Sequence, residues 1–128
     1  MAELTTTDGF KYNFEPSAIF AVADRDYVTG DPVTCVYGVT ATYLKISEPV
    51  KEFLARFGIT NNFVVLTSPN NRPIWIAAAA VSSVTGASPP EYSPPIKSVI
   101  TAHSKFGVIE DPETAVDIIN SRRKGNPL

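Results

Sequence analysis

The chain repeats itself, and that limits what it can fold into more than any other feature. Displaced by 62 residues, LTTTDGFKYNFEPSAIFAV (4–22) lies on LTSPNNRPIWIAAAAVSSV (66–84) without a gap. Leu4, Thr5, Ala18 and Val22 meet identical residues, while Tyr12, Phe14 and Ile19 meet Ile74, Ile76 and Val81. Asp8-Gly9 falls on Asn70-Asn71, two turn-forming pairs that tolerate positive φ. After a shift of one further residue, 35–57 resembles 98–120, and Glu48-Pro49 meets Asp111-Pro112. A repeat of this length is one supersecondary unit made twice. The expected organisation is a first unit over 1–59 and a second over 60–128, joined at Thr60-Asn61-Asn62.

Each half reads in the same order. Alternation of Phe10, Tyr12 and Phe14 with Lys11, Asn13 and Glu15 has the two-residue period of a strand. In the second half Ile74 and Ile76 alternate with Trp75 and Ala77. Short strands are expected at 19–22 and 81–84. Second hairpins follow, 33–39 with 42–46 and 96–102 with 106–109. Each half closes with a helix, about 48–57 and about 112–122, with Ser47 or Asp111 as cap and proline in the first turn. Val50, Phe53, Leu54 and Phe57 form one apolar stripe, Ala115, Val116 and Ile119 the other. Gly58 stops the first helix. The expected class is α+β and β-rich: two tandem pseudo-symmetric small β-sheet units, each closed by a C-terminal helix. The expected core is Leu4, Phe14, Ile19, Val22, Phe53 and Leu54, with Leu66, Ile76, Val81, Val84 and Val116.

Composition removes several function classes. Hydrophobic residues are 44% and charged residues 19% of the 128, outside the range of wholesale disorder. A net charge of −2 carries no global footprint for nucleic acid. One cysteine excludes an internal disulfide, and one histidine leaves few soft ligands for zinc. The longest apolar run is eight residues, 74–81, against the ~20 of a membrane helix. The start, MAELTTTDGF, lacks the basic and apolar regions of a secretory signal. The expectation is a cytoplasmically made protein with no membrane span, no cofactor, no metal and no nucleic-acid partner.

FVVLTSPNNRPIWIAAAAVSSVTG followed by IKSVITAHSKFGVIEDPETAVDII resembles the small FlbD (SwrD-type) motility proteins of bacteria. Leu66-Thr67, Asn70-Asn71, Pro73-Ile74, Val99-Ile100, residues 106–110 and residues 115–119 stand where that family has its strands, turn, hairpin and helix entry. The family turn is usually Asn-Gly, and its loop is shorter than 86–95 here. The resemblance implies a small β-sheet with one closing helix and a regulatory, non-enzymatic role, with no catalytic residues to transfer.

Few residues are spaced for chemistry. His103 and Ser104 are adjacent, so on a strand they face opposite ways and make a poor Ser-His-Asp set with Asp111 or Glu113. Cys35 sits in an apolar strand and reads as a core residue. Asp24, Asp26 and Asp31 only gesture at a calcium loop, with Arg25 among them. Glu110 and Asp111 read as helix-start carboxylates. Two features point instead to partner contact. The loop 86–95 carries Pro89, Pro90, Pro94 and Pro95 around Tyr92, a stiff segment that loses little entropy on binding. Its counterpart, 23–32, holds Tyr27. The C-terminal Arg122, Arg123 and Lys124 form a small basic cluster. The function these residues suggest is a non-enzymatic structural or adaptor protein acting through protein contacts or self-assembly in a larger complex, a virion among the settings considered. The alternative is a small bacterial regulator of the motility type that binds a protein partner, and a small enzyme or ligand-binding module ranks third.

Overall fold

The computed structural model describes residues 2–87, 95–123 and 125–128. The chain divides into two compact units, Met1–Thr60 and Asn61–Leu128.

In the first unit, β1 (Ala2–Thr5) and β2 (Lys11–Phe14) form an antiparallel hairpin, with Leu4 opposite Tyr12. Its turn is built by hydrogen bonds from Thr6 N to Phe10 O (2.8 Å) and from Gly9 N to Thr6 O (3.0 Å). Gly9 adopts φ +91°, a conformation that glycine reaches without steric cost. A 3₁₀ turn at Pro16–Ala18 leads into the antiparallel meander β3 (Ala21–Ala23), β4 (Thr34–Tyr37) and β5 (Tyr43–Ile46). Helix α1 (Val50–Arg56) closes the unit. Leu4, Phe14, Ile19, Val22, Val36, Leu44, Ile46, Val50, Phe53 and Leu54 are buried. Phe53 stands 6.3 Å from Phe14 and 5.1 Å from Phe57, and the last two rings meet edge-on at 5.1 Å. Burying each such side chain stabilises by about 1.5–3 kcal/mol.

The second unit has the same order: hairpin β6 (Phe63–Thr67) and β7 (Pro73–Ala77), a 3₁₀ turn at Ala78–Ala80, meander β8 (Ser83–Gly86), β9 (Ser98–Thr101) and β10 (Lys105–Val108), then α2 (Pro112–Asn120). Its first turn copies the other bond for bond. Ser68 N donates to Arg72 O at 2.8 Å and Asn71 N to Ser68 O at 2.9 Å, with Asn71 at φ +61°. Thr6 and Ser68 play one part, each accepting through its hydroxyl from the amide four residues on, Phe10 N at 3.1 Å and Arg72 N at 3.3 Å.

The differences from the sequence reading have local causes. Phe10 is 62% exposed, because it belongs to the turn and not to the inward face of β2. Val84 and Val116 are half-buried. The short strands begin two residues later than expected, since Ile19 and Val81 instead end the 3₁₀ turns. No single shift relates the second hairpins. Tyr37 lies opposite Ala21 as Thr101 lies opposite Ser83, so the displacement reaches 64, and at Tyr43 and Lys105 it has returned to 62. Two residues added in the later loop are removed again in the hairpin turn.

The helices are shorter than 48–57 and 112–122. Pro49 is extended (ψ 149°) and is itself the N-cap, so Ser47 caps nothing and proline does not occupy the first turn of α1. At the other end Gly58 (φ +67°) donates to Ala55 O at 3.1 Å and Ile59 N to Leu54 O at 3.0 Å, the paired bonds of a Schellman stop. Asp111 does cap α2, accepting from Thr114 N at 2.8 Å, with Pro112 behind it. Among the described residues no helix is long and apolar enough to cross a membrane.

Candidate functional site

One face of the first unit's meander buries Val22, Val36, Leu44 and Ile46. Strand alternation places Cys35, Tyr37, Tyr43 and Lys45 on the other face, beside the small Ala21 and Ala23. Cross-strand neighbours Tyr37 and Tyr43 hold their rings 5.4 Å apart, and Phe20 stands 6.2 Å from Tyr37.

The loop after β3 is organised around Asp26, which is 1% exposed. Its Oδ1 accepts from Val28 N (2.8 Å), Thr29 N (3.4 Å) and the Tyr43 hydroxyl (2.8 Å). Its Oδ2 faces Lys45 Nζ at 2.7 Å. The backbone closes the ring, with Asp26 N donating to Asp31 O (3.0 Å) and Gly30 N to Asp26 O (2.7 Å). Thr29 Oγ1 adds a bond to Asp31 Oδ2 at 3.0 Å. A buried carboxylate is costly unless compensated, and here Oδ1 takes the hydrogen bonds while Oδ2 is held by charge alone, in the ion pair with Lys45. The ammonium of Lys45 holds the Asp26 carboxyl well below the usual carboxylate range, against the opposing pull of burial. Asp26 in return raises the Lys45 ammonium and the Tyr43 phenol. Burial, then the Asp26 charge, pushes the Cys35 thiol up to about 11.

This hub turns the loop tip outward. Tyr27 is 37% and Val28 81% exposed, directly after a residue locked beneath them. The loop's composition marks Tyr27, but it marks neither Val28 nor the anchoring role of Asp26. The usable signal was an Asp followed three and four residues on by Thr29-Gly30, the pattern of a side chain bonding its own downstream amides.

As chemistry, the hub is static. Asp26 is kept ionised by Lys45, so it does not take up a proton near neutral pH. Cys35 is fully buried and holds its proton. Asp26 is committed to Lys45 and Tyr43 and Asp31 to Thr29, and among the described residues no three His, Cys, Asp or Glu form a group able to hold a metal ion. His103 occupies the β9–β10 turn at φ +63°, beneath which Ala102 N donates to Ser104 O at 2.8 Å.

The remaining contact candidates fall out unevenly. Pro95 is exposed in a turn, whereas Pro89, Pro90, Tyr92 and Pro94 lie outside the described residues, as does Lys124. Arg122 is exposed, but Arg123 is turned inward: its Nη1 donates to Ala78 O (3.0 Å) and Val81 O (2.7 Å), and its Nε to Asn126 O (2.8 Å). Arg123 therefore clamps the 3₁₀ turn before β8 instead of facing solvent with Arg122. Glu110 is not a second helix cap either. Its Oε1 accepts from Thr67 N (3.0 Å) and its carbonyl from Ser98 Oγ (2.7 Å), stitching β6 to the helix entry. No protein family, curated protein or solved structure matches the chain.

Proposed function

We propose that this chain is a contact module, a structural or adaptor protein that works by binding a protein partner within a larger assembly, of which a virion is one setting. The observation that carries the reading is Val28, 81% exposed at the tip of a loop whose next-but-one residue toward the N-terminus, Asp26, is buried, hydrogen-bonded through Oδ1 and ion-paired through Oδ2. An apolar tip on a flexible loop loses ordering entropy when it binds. A tip already held by its own side-chain bonds loses less, so a small contact can still be specific. Tyr27 beside it offers an amphipathic ring of the kind enriched at interfaces. Loops diverge without disturbing the packing beneath them, which suits equivalent loops, 23–32 and 86–95, to contact different surfaces.

The test is gradient sedimentation of the chain from the cells that make it. Wild type is expected to run in a complex larger than its own 13.8 kDa, and Val28→Asp to run as the free chain with unchanged melting temperature. A wild-type chain that runs free, or a Val28→Asp chain that stays in the complex, overturns the reading.

A further inference from the structure

The outer edge of β5 is only partly closed. Thr7 N donates to Lys45 O at 2.9 Å, joining the tip of the β1–β2 hairpin to that strand. The bond sets the pleat. Lys45 O points away from β4, so by two-residue alternation the N–H and C=O of Tyr43 point away from it too. Among the described residues no backbone group reaches Tyr43 from that side. Next to it lies an open cleft of about 700 Å³, lined among others by Thr7, Asp8, Phe10, Tyr12, Thr42 and Tyr43.

Three properties of the cleft narrow its ligand. A bare strand edge is a template for another strand. Phe10, 62% exposed, gives it an aromatic wall together with the half-buried Tyr12. Its charge is negative, because Asp26 already neutralises Lys45, while the Asp8 carboxylate accepts from the Thr6 hydroxyl and, among the described residues, meets no cation in an ion pair. We propose that this cleft binds an extended peptide segment of a partner protein carrying a Lys or Arg side chain. The peptide backbone pairs with Tyr43 as an added strand, and its cation lies between Asp8 and the face of Phe10. The proposal does not rest on the Val28 contact, which uses other residues.

The experiment titrates the intact chain with short alternating Val/Thr peptides bearing Lys, Ala or Glu at the centre, and with the Lys peptide N-methylated at its central amides. The Lys form is expected to bind about threefold to tenfold tighter than the Ala form, with Glu weakest. N-methylation should weaken binding about tenfold by removing strand donors. Amide exchange at Tyr43 should slow in the complex. Phe10→Ala should weaken the Lys peptide about threefold to tenfold. Asp8→Asn keeps an acceptor for Thr6 and should abolish the Lys preference, while Val28→Asp should change nothing. No peptide binding tighter than roughly 1 mM, equal binding of the N-methylated form, an inert Phe10→Ala, or preference for an oligosaccharide over every peptide overturns the proposal.

Discussion

Where the first unit packs Phe14 of β2, Phe53 of α1 and Phe57 just past the helix together, the second carries, 62 residues on, Ile76 of β7, Ala115 of α2 and Ile119, which is still inside its helix. One β-β-3₁₀-β-β-β-α order is therefore filled in two ways, by three rings or by small aliphatic side chains. The helix ends differ in parallel. Helix α1 has no side-chain cap and is fixed at its finish by the Gly58 stop, whereas α2 is fixed at its start by Asp111. What the units share is backbone turn chemistry; what they do not share is volume. Element order is thus tolerant of what fills it, within the limits that core packing sets.

The largest expected effect tests that difference in volume. Phe53→Ala should cost about 3–5 kcal/mol, because two aromatic neighbours lose their contact and the site collapses poorly. The reciprocal Ala115→Phe should cost about 1–3 kcal/mol by overpacking. Denaturant unfolding of both variants measures this. An Ala115→Phe chain as stable as wild type would mean that the second core has the same room as the first, and the comparison fails.

An intermediate effect belongs to the Asp26–Lys45 pair, which has no counterpart among the described residues of the second unit. The folded-state pKa of Asp26 lies below its ordinary 3.8, so its stabilisation is present above that value and is lost as pH falls through the folded pKa. The folded-state pKa of Lys45 lies above its ordinary 10.5, so its share is complete below that pH and is lost as pH rises through the folded pKa. Asp26→Asn keeps the turn acceptor but not the charge. It should be less stable than wild type at pH 7, with the gap narrowing toward both extremes. Urea midpoints across the pH range decide it, and a pH-independent gap would count against the pair.

The smallest effect sharpens the helix ends. Gly58→Ala should cost about 1 kcal/mol through its positive φ, although a Cβ there meets open space. Asp111→Asn should barely change stability at neutral pH, since asparagine caps as well. It should also remove the acid-side loss implied by the lowered Asp111 carboxyl. Thermal melts at pH 7 and below pH 4 separate the two ends.

Much of this was legible in residue order alone. The repeat, the strand and helix sequence, the paired Asp8-Gly9 and Asn70-Asn71 turns, the Gly58 stop and most of the core depend on contacts within a few residues and on periodicity, which sequence displays directly. Tertiary structure decided whatever depends on partners distant in the chain. Lys45 meets Asp26 because β5 lies beside β4 under a loop, and Arg123 reaches back 42 residues to Val81, an interaction that its neighbour Arg122 gave no reason to expect. The turn that exposes Phe10, the two-residue slip between second hairpins, and the reassignment of Glu110 from cap to strand tie have the same origin. Propensity and pattern act locally, while the direction of a polar side chain is set by which unsatisfied backbone group or opposite charge the fold brings within about 3 Å.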